Sequence, residues 1–250
     1  REITCIQAHA NQINTMEIAP NNQTLVSSSS DRTLPRLVLC EALASDHELT
    51  LTMGADSIRV PVPDGDAPLR DVVVWKDRVT ALDAGDAASV WLSAQFGRAL
   101  RLVYQAASQH RWLPVDKALH PSDEVSFADG YPLLLIGTAS LADLNDRLGT
   151  PVTMQHFRPN VVVETEEPFV EDGWSAIQIG ELRFELASRC ARCIFTTVSP
   201  DTGEKCSDGE PLRTLRQYRT TEDDGKIMFG MNAIPRSAGS ITVGDHVLPL

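Results

Sequence analysis

Short runs of apolar and β-branched residues recur along this chain, each closed by Gly, Pro or Asn, and this punctuation constrains the fold more than any other feature. Near the start, Thr4–Ile6, Ile13–Ile18 and Leu25–Ser29 read as extended pieces, with a turn at Pro20-Asn21-Asn22. Beyond Leu34 the strand candidates are Leu37–Cys40, Leu49–Met53, Ser57–Val60, Asp71–Trp75, Val79–Asp83 and Leu100–Tyr104. A further set follows at Asn160–Glu164, Ser175–Ile179, Glu181–Leu186 and Cys193–Val198, with two short strands in Ser240–Leu248. The expected fold class is mainly β with a few helices, α+β.

Three stretches break the strand pattern. Asp86 to Phe96 has an acidic first turn, Val90, Trp91 and Phe96 at helical spacing, and Gly97 as a stop. Thr138 or Ser140 can cap a helix through Leu148, with Leu141, Leu144 and Leu148 on one face. A third helix is predicted from Glu210 to Tyr218, with Pro211 in its first turn, Leu212 and Leu215 inward, and Arg213, Arg216 and Arg219 outward. Residues 105–125 have little periodicity and suit a connection. The expected organisation is a β-hairpin segment over 1–33, a β-barrel-like unit over 34–113 and a second β-barrel unit over 114–250.

The 250 residues carry 22 Lys and Arg against 34 Asp and Glu, a formal charge of -12. So acidic a chain is repelled by phosphate backbones and anionic lipid surfaces, which argues against nucleic-acid and membrane partners. The longest apolar runs, such as Tyr131 to Ile136, are too short to span a bilayer, and a cytoplasmic protein is expected. Five scattered cysteines do not make a disulfide framework.

Cys190-Ala191-Arg192-Cys193 is the sharpest local signal, and its spacing alone admits several readings. Zinc would need two more ligands, of which only Cys206 is nearby. A thioredoxin-like dithiol would open a helix, whereas Ile194 to Val198 reads as a strand. Two buried thiols at a strand start would be plain packing. Arg189 and Arg192 flank the pair, and a guanidinium beside a thiol favours the thiolate, the form that binds soft metals. His110, His120 and His156 have no matching acid or nucleophile at a recognisable spacing, so no acid/base triad is assigned.

The ordered strings Phe157-Arg158-Pro159-Asn160, Glu171-Asp172-Gly173-Trp174, Cys190 to Val198, Pro200-Asp201-Thr202-Gly203, Glu210-Pro211-Leu212, Phe229-Gly230 with Asn232, and Val243-Gly244-Asp245 resemble the MOSC domain. The branch most resembled contains YcbX-type bacterial proteins and the mitochondrial amidoxime-reducing components. This implies a MOSC β-barrel domain preceded by a partial MOSC N-terminal β-barrel-like domain. It also implies a molybdenum cofactor ligated by Cys193, with Arg158, Asn160, Ala191, Arg192, Gly130 and Tyr131 as cofactor-binding residues. Guanidinium groups at 158 and 192 suit the cofactor's anionic tail, and the Asn160 amide suits a pterin edge. The implied chemistry is reduction of small N-hydroxylated compounds, amidoximes or N-hydroxylated bases, with electrons from a separate flavin or iron–sulfur reductase. Pyridoxal phosphate is a secondary cofactor association of the family. The alternatives are a cofactor carrier or sulfur-transfer module, and a recombined or designed β-protein that binds no cofactor.

The chain departs from the family pattern at its start. His9, Ile13-Asn14, Ala19-Pro20-Asn21 and Leu25 to Thr33 resemble one WD40 repeat, where the family has Pro-x-Lys-Ser and Asp-Arg-x-Trp motifs. No second repeat follows, so a propeller is excluded. Met231 stands where a Gln is common, removing an expected polar contact.

Overall fold

In a computed structural model, the chain is described over residues 3–8, 15–18, 35–45, 47–74, 77–105 and 108–250. The expected strand at 25–29 and the turn at 20–22 lie outside those residues. The chain divides into two compact units, residues 1–20 with 131–250, and residues 21–130. Residues 114–130, expected with the second barrel, fall in the unit that precedes it.

Strands β1 (Ile3–Ala8) and β2 (Thr15–Ile18) open the chain. They do not pair as a hairpin: β1 lies between two strands from much later in the sequence, and β2 pairs with another. In the unit over 21–130, β3 (Glu41–Ala44), β4 (Glu48–Met53) and β5 (Asp56–Pro61) form one antiparallel sheet. A second contains β6 (Leu69–Val74), β7 (Asp77–Asp83) and, beyond the helix α1 (Asp86–Phe96), β8 (Val103–Tyr104). Leu49, Leu51 and Met53 are buried on one face of β4, as alternation requires. Leu37–Cys40 is not a strand. Pro35–Leu39 forms a 3-10 turn, consistent with the fixed φ and missing N–H of Pro35. The strand expected from Leu100 is reduced to Val103–Tyr104, because Ser93 Oγ accepts the Leu100 amide and Ser89 Oγ donates to the Leu100 carbonyl, tying residue 100 to α1.

Helix α1 ends as expected on Gly97, whose left-handed φ of 66° closes a bond to Ser93. Its inward face differs, because Ala88 and Leu92 are buried whereas Val90 is 70% exposed. Beside it, Asp83 is buried and accepts from Arg70, Arg101 and the Gly85 amide.

In the other unit β9 (Leu133–Gly137) leads into α2 (Thr138–Arg147) and then β10 (Val161–Val163), which pairs parallel to β9. A crossover helix is what parallel neighbours need. The strands β11 (Ala176–Ile179) and β12 (Leu182–Ala191) follow, then the single-turn helix α3 (Leu212–Leu215), β13 (Met228–Pro235), β14 (Gly239–Thr242) and β15 (His246–Pro249). A closed barrel runs in the order β1-β10-β9-β13-β12-β11-β15, and β14 pairs with β2. This unit has two cores. Leu133, Leu135, Phe184 and Met231 belong to one, and Ile136, Leu144, Leu215 and Phe229 to the other. Met231 is therefore a core residue of the barrel strands, where an apolar side chain belongs.

Neither Thr138 nor Ser140 caps α2. Thr165 Oγ1 accepts the Ala139 amide, and buried Glu171 accepts the Gly137 amide and the Ser140 hydroxyl through Oε1. Gly137 permits this, since a Cβ there would stand 2.8 Å from Glu171 Oε2. The third helix keeps Leu212 and Leu215 inward, yet Arg219 is not outward: it lies 4.1 Å over the Phe169 ring and pairs with Asp172.

Candidate functional site

Two loops of the barrel unit carry the predicted residues. Strand β12 runs further than expected, through Cys190 to Ala191, so Cys190 ends a strand instead of starting one. Cys193 then caps a 3-10 turn over Ile194–Thr197, not the strand expected there. The hydroxyls of Thr196 and Thr197 bond back to the carbonyls of Cys193 and Ile194 at 3.0 and 2.8 Å, offering this β-branched run a local alternative to a sheet ladder. Phe195, Thr196 and Thr197 are buried and anchor the turn, while Cys193 is exposed. Buried packing is thus excluded for Cys193, and Cys190 is only half-buried. Cys206, the third thiol considered for zinc, instead bonds Asp208 at 2.8 Å.

The second loop is Phe157 to Asn160. Arg158 holds a left-handed φ of 50°, an uncommon state for a residue with a Cβ. The chain is fastened on both sides of it: the Phe157 and Arg158 amides donate to Met154 O, and the Asn160 amide donates to Leu134 O at 2.8 Å. Asn160 Oδ1 also accepts the Leu134 amide at 2.9 Å, so this carbonyl is committed to β9 and the amide NH2 is the group left to present.

The loops are joined by two arginines. Arg192 donates from Nη2 to Phe157 O at 2.8 Å and from Nη1 to Cys190 Sγ at 3.1 Å, with its guanidinium 5.5 Å from the Phe157 ring centroid. Arg158 reaches the opposite way and lies 4.1 Å over the ring of Phe195. The cation beside a thiol is therefore Arg192 beside Cys190, whereas the flanking pattern suggested a cation for the pair as a whole. Arg192 Nε is buried and has no acceptor among the described residues, a donor available to a ligand atom. An exposed soft thiol, two guanidiniums and an orphan N–H suit a metal whose remaining ligand is electron-rich and anionic.

Gly130 and Tyr131 straddle the boundary between the two units. Phe157 and Phe195 carry no spacing signal of their own, although both stand inside the motifs that hold Arg158 and Cys193. His110 does have an acidic partner: its Nδ1 lies 2.6 Å from Glu124 Oε2, brought there by a bridge between Trp112 and Glu124. Spacing could not reveal that pairing.

Fold and site together define a β-barrel domain that presents an exposed thiol on one of two joined, arginine-bearing loops. A family description reading MOSC domain matches residues 122–248, and one reading MOSC N-terminal beta barrel domain matches residues 26–99. The chain belongs to the MOSC domain family. Mitochondrial amidoxime-reducing component 1 of Danio rerio is 34% identical over 223 residues, covering 86% of this chain and 68% of that one. The Homo sapiens protein of the same name is 34% identical over 228 residues, covering 85% and 66%. Molybdenum cofactor sulfurase of Danio rerio is 29% identical over 245 residues, covering 88% of this chain and 29% of that one. The chain thus spans about two thirds of the length of the amidoxime-reducing components it matches. No helix among the described residues is long and apolar enough to cross a membrane, and the amidoxime-reducing relatives are mitochondrial by name.

Proposed function

We propose that this chain holds a molybdenum cofactor through the Cys193 thiolate and reduces small N-hydroxylated compounds, with electrons from a separate flavin or iron–sulfur reductase. The observation that carries the reading is the joining of the Phe157–Asn160 loop to the Cys193 loop, which gathers a soft thiol, two guanidiniums and an unsatisfied donor. Arg158 and the Arg192 Nε–H would bind the cofactor's anionic and acceptor groups, and the Asn160 NH2 would meet a pterin acceptor. Ala191 adds only a methyl group beside a ligand. Gly130 and Tyr131 remain candidates through family resemblance. The bound cofactor would supply two-electron redox chemistry. Overall, an N–OH group takes up two electrons and two protons to give N–H and water. Pyridoxal phosphate has no support in the matched family descriptions or relatives.

A second reading, a carrier or sulfur-transfer module, is favoured by the likeness to molybdenum cofactor sulfurase. Protein purified from a cofactor-replete host distinguishes the two. The expected result is stoichiometric molybdenum and reduction of benzamidoxime with a chemical or enzymatic electron donor. Cys193→Ala should lose the metal and Cys190→Ala should keep it. Molybdenum without turnover would favour the carrier, and metal-free wild-type protein would overturn both readings.

A further inference from the structure

The two loops exchange arginines. Arg158 belongs to the Phe157 loop and rests on Phe195 of the Cys193 turn, while Arg192 belongs to the Cys193 loop and reaches the ring and carbonyl of Phe157. Each loop therefore lends its cation to the aromatic ring of the other. Phe157 is held in the core beside Phe229, their rings 4.3 Å apart, and Phe195 is 6% exposed, so both platforms are fixed. Arg158 is itself exposed, and a long exposed side chain ordinarily samples many rotamers.

We propose that Phe195 is a positioning residue for cofactor binding. Its ring face holds the Arg158 guanidinium above the Cys193 turn before any ligand arrives, so that binding does not have to order that side chain. Phe195 makes no contact with the cofactor in this account and acts only through Arg158. Three features support it. The approach of 4.1 Å is within cation–π range. The backbone at Arg158 is left-handed and fastened before and after, so the loop that presents the side chain to the neighbouring turn is itself fixed. Phe195 lies two residues after Cys193, so the same buried ring fixes the turn that carries the thiol and the cation that accompanies it. The inference rests on the proposed cofactor role of Cys193 and Arg158.

The test is a double-mutant cycle on cofactor retention, read as molybdenum remaining during dialysis of protein loaded in a cofactor-replete host. Phe195→Leu keeps an apolar anchor but removes the ring, and Phe195→Tyr keeps the ring. We expect Phe195→Leu to lose molybdenum about 3- to 10-fold faster than wild type, Phe195→Tyr to match wild type, and Phe195→Leu to have no further effect in an Arg158→Ala background. Thermal midpoints identify a variant that merely unfolds. Should Phe195→Leu be unstable, Phe195→Met supplies a flexible apolar filler for the same cycle. Equal losses from the Phe195 change with and without Arg158 would overturn the proposal, as would wild-type retention in Phe195→Leu. Wild-type protein that never carries molybdenum would instead overturn the cofactor reading on which it stands.

Discussion

Glu171 accepts the hydroxyl of Ser140 in a buried hydrogen bond of 2.7 Å that joins helix α2 to a segment well beyond it in sequence. The same oxygen takes the Gly137 amide. Glu171→Ala strands two buried donors, each costing about 1–3 kcal/mol when left unpaired. The expected loss is about 3 kcal/mol in urea unfolding, with Glu171→Gln milder because its carbonyl can still accept. Equal losses in the two variants would show that charge, not acceptance, is what matters there.

Arg219 and its neighbour Arg216 should behave oppositely. Arg219 is largely buried, paired with Asp172 and stacked on Phe169, and removing one member of such a pair leaves a charge without its partner. Arg219→Ala should cost about 2–4 kcal/mol. Arg216, exposed at the C-terminal end of α3, should cost less than about 0.5 kcal/mol as Ala. Thermal or urea unfolding of the two variants decides the matter.

Asp83 links stability to pH. Burial opposes its ionisation, but hydrogen bonds from Arg101, the Gly85 amide and Arg70 outweigh that and hold the carboxyl down at about 2. A carboxyl depressed on folding contributes stability above its unfolded pKa, ordinarily about 3.9, and loses it as the pH falls through the folded value. Asp83→Asn should therefore lower the melting temperature at pH 6, by roughly 2–4 °C for each kcal/mol lost. The gap between variant and wild type should narrow from about pH 5 down to about pH 2. A pH-independent gap would refute this.

Arg192 holds the two loops together through Phe157 O and Cys190 Sγ. Arg192→Lys keeps the charge but cannot make both bonds in the same plane. It should therefore release molybdenum faster than wild type, whereas Arg189→Lys, exposed on the strand before it, should not. Elemental analysis during dialysis provides the comparison.

Much of this was legible in the residues. Alternation marked β4, the Leu141, Leu144 and Leu148 face marked α2, and Gly97 marked a helix end, because each signal is local and repeats at the period of its element. The turn after Cys193 was not legible. Ile194 to Val198 has strand composition, and the hydroxyl bonds of Thr196 and Thr197, with the amide bonds of Thr196 to Cys193 O and Val198 to Phe195 O, turn it back on itself. Arg219 misled for another reason: helical spacing extended from Leu212 and Leu215 puts it outward, but α3 ends at Leu215 and Asp172 meets Arg219 from a distant segment. The site divides along the same line. Cys193 and Arg158 stood out by motif, whereas the ring each arginine rests on is a tertiary fact that no spacing encodes.

The barrel closes on β1, whose neighbours β10 and β15 lie far along the chain, and in sequence the unit over 21–130 is inserted between β1 and β10. On a ribosome, β1 emerges before β10 and β15 and then waits unpaired while that entire inserted unit and most of the barrel are synthesised, at about 5–20 residues per second. Through that interval its strand edges are open to other chains. Closure is a late, non-local event. Release of the last strand, β15, should therefore mark when a nascent chain first resists protease, and arrest just before it should leave the barrel open at a seam.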